Sequence, residues 1–394
     1  MEAIISLTFI LVVYSIGDFI SVKTKSIVSM LFTCSVIFLI GFWIGVPTTL
    51  FETSKLQGIG GLLITLLLVH MGTMLNFKQL KEQWKTVVVA IAAIVGIVIA
   101  LLVIGAPIIG REAAIIAAPP IAGGVIAGIQ MADAARAIGN ESYAVLATLL
   151  VVVQGFVGYP IASFCLKIEA KHVLKKLRSG ELASEKSSVQ VAEAKPKFFK
   201  PVAAKYASEN LYLAKAAVVA LLATFVSAKT MELVGFNLLD KNILSLLFGI
   251  LAAETGFLDR EVLKEANAFG FAMVALMAVI FSNLSKATPQ IVLELLSTIV
   301  LSLVIGSVGI IIFSFLAGKI LKVSPYLAVA IGASALFGFP GTYIISNEVA
   351  VATGENSEEV AAIVDAIMPK MLVAGFITVS IASVVLAGIL APLL

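Results

Sequence analysis

Apolar runs of about 18 residues or more recur along this chain. Each is long enough to cross the roughly 30 Å hydrocarbon core of a bilayer as a helix. They fall at about 3–20, 26–45, 59–77, 86–107 and 143–166, then at about 211–235, 243–258, 266–284, 290–318 and 360–392. Only 13% of the 394 residues are charged and 60% are hydrophobic, against roughly 25% charged in an average soluble protein. The fold class expected is an all-α polytopic membrane protein. The first run, "MEAIISLTFILVVYSIGDFISVKTK", has no basic stretch before it and no small-residue cleavage site. It reads as a retained helix rather than a secretory signal.

The two groups of five runs flank a polar segment, 167–208, with ten Lys/Arg and four Glu between residues 167 and 205. It reads as a basic linker between repeats covering 1–166 and 209–394. Two apolar segments are left over, about 108–140 and 324–356. Each is interrupted in its middle, by "PPIAGG" (119–124) and by "LFGFPGTY" (336–343). Cytoplasmic loops are enriched in Lys and Arg, so the linker belongs inside. If each interrupted segment enters and leaves on one side, then "VKTK" (22–25), "KQLKEQWK" (78–85), "LDREVLK" (258–264) and "KILK" (319–322) all fall inside as well. The charge bias therefore favours two re-entrant hairpins, the first from outside and the second from inside. A single-pass broken helix in each place is the alternative. Either way, each half reads as four spans, an interrupted segment and a fifth span, in inverted orientation, a plan of secondary transporters. "GNES" (139–142) and "GENS" (354–357) sit at the same place in the two halves, which aligns Asp133 with Glu348 and Gly123 with Gly338.

Non-helical backbone at membrane depth survives only where protein buries it or where it lines a wet cavity. Broken helix ends offer N–H groups to anions and C=O groups to cations, and glycine lets a ligand approach the backbone. The two breaks are most simply read as walls of one substrate and ion site. Ionisable groups at this depth mark further candidates. Lys370 lies about ten residues into the last span, where it can neutralise a carboxylate or exchange a proton. Asp133 and Glu348, in the second arms of the hairpins, and Asp365 are candidate cation ligands. Asn347 and Thr342 offer neutral oxygens of the kind hard cations prefer. His70 reads more readily as a core histidine than as a proton carrier. Asp18, Gln154 and Asn283 are weaker candidates, and solvation accounts for Glu254. Cys34 and Cys165 lie in apolar runs and, with His70 and His172, form no recognisable metal site.

This arrangement resembles the sodium:glutamate symporter family, within a wider group of inverted-repeat sodium-coupled carboxylate transporters and cation/proton antiporters. The family pattern is a Gly-rich tip in each hairpin, which here is Gly123–Gly124 and Gly338–Phe339–Pro340–Gly341–Thr342. The breaks and the ionisable groups together predict substrate contacts from Gly123, Gly124, Gly338, Gly341, Thr342 and Lys370, and cation contacts from Asp133, Asn347, Glu348 and Asp365. The resemblance implies an elevator-like motion and a homodimer in the cell inner (plasma) membrane. The function expected is sodium-coupled symport of a small carboxylate or acidic amino acid such as glutamate. A sodium/proton antiporter and a non-transporting membrane protein are the alternatives. No phosphate-binding Gly loop or Ser/His/Asp order points to ATP chemistry or hydrolysis. The expectation is therefore not an enzyme, with no cofactor beyond the coupling ion, no metal beyond sodium and no nucleic-acid partner. In a background lacking Cys34 and Cys165, Leu80→Cys and Ile320→Cys are expected to react with an impermeant maleimide only from the cytoplasmic face. Labelling from the outer face rejects the hairpin topology.

Overall fold

The computed structural model describes residues 2–74, 81, 83–179, 198–199, 202–203, 206–234 and 241–394. Residues 78–80 and 82 of the second basic stretch and most of the expected linker lie outside the described residues. Among the described residues every regular element is a helix. In chain order the main ones are α1 (Ala3–Lys23), α2 (Met30–Trp43), α3 (Leu56–Met74), α4 (Trp84–Ile99), α5 (Arg111–Ile121), α6 (Val125–Ala137), α7 (Glu141–Val153) and α8 (Gly155–Arg178). Then come α9 (Glu209–Val234), α10 (Lys241–Thr255), α11 (Phe269–Ser282), α12 (Leu296–Leu321), α13 (Pro325–Ala333), α14 (Gly338–Thr353), α15 (Ser357–Phe376) and α16 (Ser383–Leu390). Among the described residues, eight helical stretches are long and apolar enough to cross a membrane.

Two of the ten expected spans fall short of that length. α2 has 14 residues and α10 has 15. α2 starts late because Lys25 and Ser26 take left-handed backbone and the Ser29 hydroxyl then caps the helix, accepting from Phe32 N at 3.1 Å. In the other direction, α8 runs on to Arg178, so the first twelve residues of the segment read as linker are helix.

The chain forms two compact units, and neither coincides with one half of the sequence. The first comprises Met1–Thr8, Thr49–Glu82 and Lys186–Ser282. In it α3 packs against α10 and α11 through small residues, the usual device where helices meet without a hydrophobic driving force. A Cβ at Gly72 would stand 2.9 Å from the Gly249 Cα, and one at Gly60 would stand 2.6 Å from the Ala275 carbonyl carbon. His70 is fully buried. Its Nδ1 accepts from Leu263 N at 3.1 Å and its ring lies 4.8 Å from Phe269. The Arg260 guanidinium donates to Thr73 O at 2.9 Å. His70 thus holds the short helix Val262–Glu265 against α3.

The second unit comprises Phe9–Thr48, Gln83–Glu185 and Asn283–Leu394. Two long helical stretches run through it, Glu141–Arg178 and Ser357–Leu393. The first divides at Gln154 into α7 and α8. The second passes through a π-helical segment, Ile377–Ala382, between α15 and α16. α7 packs on α5 and α6, and α8 packs on α13 and α14. α15 packs on α13 and α14, and α16 on α5 and α6. Each interrupted segment is therefore held between one half of each long stretch.

His70→Ala is expected to lower the melting temperature of the purified protein, because the buried Leu263 N–H loses its acceptor at a cost of about 1–3 kcal/mol. An unchanged thermal unfolding curve contradicts this structural role.

Candidate functional site

The first interrupted segment is α5, a break, then α6. Pro119 and Pro120 fall in the last turn of α5 and lack N–H groups, so two carbonyls one turn earlier lose their helical donors. Gly123 and Gly124 then take φ of 114° and 98°, which a residue with a Cβ rarely adopts. The second segment is α13, a 3₁₀ turn Ser334–Leu336, then α14, with Phe339 non-helical at φ −74°, ψ 138°.

The two breaks touch. A Cβ placed on Gly123 would stand 2.9 Å from Ala335 O and 3.0 Å from the Val379 side chain. One on Gly124 would stand 3.0 Å from Ser383 Oγ, and one on Gly338 would stand 3.0 Å from Val379 Cβ. Val379, in the π-helical segment, is thus common to both tips. Gly341 packs on Phe337 and Tyr159, and Gly375 packs on Thr342 and Phe339 N. Phe339 stacks on Phe376 at 5.2 Å, and Tyr159 lies 5.2 Å from Phe337.

Both arms of each segment run from the tip toward the same end of a neighbouring helix. Ser324, before α13, donates its hydroxyl to Glu169 on α8. The tip residues Leu336 and Phe337 lie against Gly158, eleven residues earlier on α8, or about 16 Å at helical rise. After α14, Glu355 and Glu359 meet Arg178, back at the far end of α8, at 3.1 and 2.8 Å. α5 and α6 likewise both reach the Ala391–Leu393 end of the last helix, whereas Gly124 touches Val379 and Ser383. Arms of 11 and 13 residues reach about 16–20 Å, a little over half of a hydrocarbon core.

α6 and α14 both start at these breaks without a side-chain cap, so their first N–H groups, at the positive end of each helix dipole, need another acceptor. Thr342 Oγ1 on α14 and Gln154 Oε1 are buried without a partner among the described residues. Gln154 stands at the division between α7 and α8, about one turn before Gly158. Sequence reasoning flagged Gln154 only weakly and missed Val379, Tyr159 and Gly375. The small-residue run "GFITVSIAS" (375–383) was the available signal.

The expected cation ligands are not brought together. Asp133 is exposed and paired with Arg136 at 3.0 Å. Asn347 and Asp365 are also exposed. Asp133 lies nine residues beyond Gly124 and Glu348 ten beyond Gly338, on arms that run to opposite ends of the last helix. Some 13–15 Å of helix on either side of the tips separates them, so they cannot share an ion. Glu348 alone is enclosed, where its Oε1 accepts from the Ser21 hydroxyl and, at 2.8 Å, from Met30 N. Lys370 is half-buried, and its ammonium turns back along its own helix to Ala366 O at 2.5 Å. It lies five residues before Gly375, about 7.5 Å along the axis.

No family model and no curated protein matches the chain. Gly124→Ala and Gly139→Ala both place a Cβ at positive φ, but only Gly124 meets neighbouring atoms within 4 Å. Gly139→Ala is expected to cost about 1–2 kcal/mol of backbone strain and Gly124→Ala clearly more. Equal losses of melting temperature contradict the packed tip.

Proposed function

We propose that this protein is a secondary active transporter of a small anionic substrate, built as two inverted-topology repeats with a re-entrant hairpin in each. The observation that carries the reading is the meeting of two helix breaks on Val379. Two uncapped helix starts converge there, and Thr342 Oγ1, packed on Gly375, has no partner among the described residues. Exposed amide groups and positive dipole ends suit a carboxylate, and two half-depth hairpins from opposite faces suit alternating access. A small carboxylate or acidic amino acid such as glutamate is the substrate class. Amides of α6 and α14 and the side chains of Thr342 and Gln154 hold it, and Lys370 on α15 supplies a positive charge. Both hairpins belong to one compact unit, as a body that carries its cargo across requires. A sodium or proton gradient supplies the work. In this reading the protein resides in the plasma membrane with its basic linker cytoplasmic, as a relative of the sodium:glutamate symporters.

The test is uptake of labelled carboxylates and amino acids into proteoliposomes under an imposed sodium or pH gradient. Gradient-dependent uptake is expected, falling about ten-fold or more in Thr342→Ala and Lys370→Ala, the loss of about 1.4 kcal/mol. Sodium-driven proton movement with no organic solute identifies an antiporter instead. No gradient-driven flux of any kind rejects the transporter reading.

A further inference from the structure

An oxygen-rich enclosure lies away from the hairpin tips, where α14 meets the end of α1 and the start of α2. Glu348 Oε1 takes two donors, the Ser21 hydroxyl and Met30 N. Glu348 Oε2 is sealed from solvent and has no partner among the described residues. Ser21 and Ser26 are buried, with their hydroxyl oxygens 3.4 Å apart. Ser26 donates to the Glu348 carbonyl at 3.2 Å, and the Ser26 carbonyl accepts from Ser163. One turn before Ser21 on the same helix lies the exposed Asp18 carboxylate.

Glu348 thus meets two serine hydroxyls. Of the basic groups nearby in the chain or in contact with it, Lys25 beside Ser26 is exposed. Lys23 lies over the Phe19 ring, and Lys167 donates to Thr24 O at 3.4 Å. A buried carboxylate oxygen without a countercharge is costly, and carboxylates with hydroxyl and carbonyl oxygens are the ligands hard cations take. We infer that Glu348, Asp18, Ser21 and Ser26 form a binding site for a hard monovalent cation, sodium. Glu348 Oε2 and the serine oxygens contact the ion, and Asp18 supplies a second negative charge one turn before Ser21. A bound ion fastens α14 to α1 and α2 at one end of the arm whose other end, Gly338, is the hairpin tip. This deepens the transporter reading, on which its role as coupling site rests, and replaces Asp133, Asn347 and Asp365 as ligands.

The site is tested without substrate or gradient, on the purified full chain in detergent, by titrating sodium chloride against choline chloride and following thermal unfolding. Sodium is expected to raise the melting temperature of the wild type. That increment is lost in Glu348→Gln and Asp18→Asn and kept in Asp133→Asn. Ser21→Ala retains both charges and guards against misfolding of the carboxylate variants. It is expected to shift the sodium midpoint about ten-fold higher, as the loss of about 1.4 kcal/mol dictates. No sodium-specific increment in the wild type overturns the inference, and so does an increment that survives in all three site variants. Uptake that persists in either case leaves the transporter reading standing, while an absent flux with intact sodium binding removes that reading and leaves the site.

Discussion

The structure depends on a rule about backbone in lipid, where a peptide N–H or C=O has no water to fall back on. A chain that interrupts its helices twice must surround both interruptions with protein. Here the solution is reciprocal, because the break at Gly123–Gly124 and the break at Gly338 lie against each other and against Val379. Ala335 O, from one tip, is within reach of Gly123, from the other. The glycines are required twice over. They permit left-handed backbone at 123 and 124, and they leave the space in which the tips approach.

Around that contact the packing is consistent with the same logic. The aromatic rings of Tyr159, Phe337, Phe339 and Phe376 cover the second break, while Gly158 and Gly375 let the two long helical stretches come close to it. In the other unit, small residues on α3 and α10 serve helix packing alone, and the buried His70 serves a turn. The second unit uses glycine both ways, packing continuous helices where Gly96 meets Gly309 and seating discontinuous ones at its two breaks.

Much of this was legible in the sequence. Pro119, Pro120, Gly123 and Gly124 announce a break because their effects on φ and hydrogen bonding are local. The helical runs are legible because their length is set by the bilayer. What pairs with what was not legible. Val379 is an ordinary apolar residue until the fold brings two tips to it. Glu348 stood out by its place in the repeat, but its partners Ser21 and Met30 lie more than 300 positions away in the chain. Asp133, which the GNES and GENS match aligns with it, is a solvated partner of Arg136, because a sequence match gives position along a helix and not which side faces the interior.

The two long stretches have a mechanical consequence. Glu141–Arg178 and Ser357–Leu393 each support one interrupted segment along one half and the other along the rest, like a pair of beams shared by two cantilevers. Neither cantilever can tilt alone without bending a beam beneath the other. Bending is easiest at Gln154 and through Ile377–Ala382, where each beam departs from regular α-helix. The second joint touches both tips through Val379, so flexure of the frame there moves both breaks together.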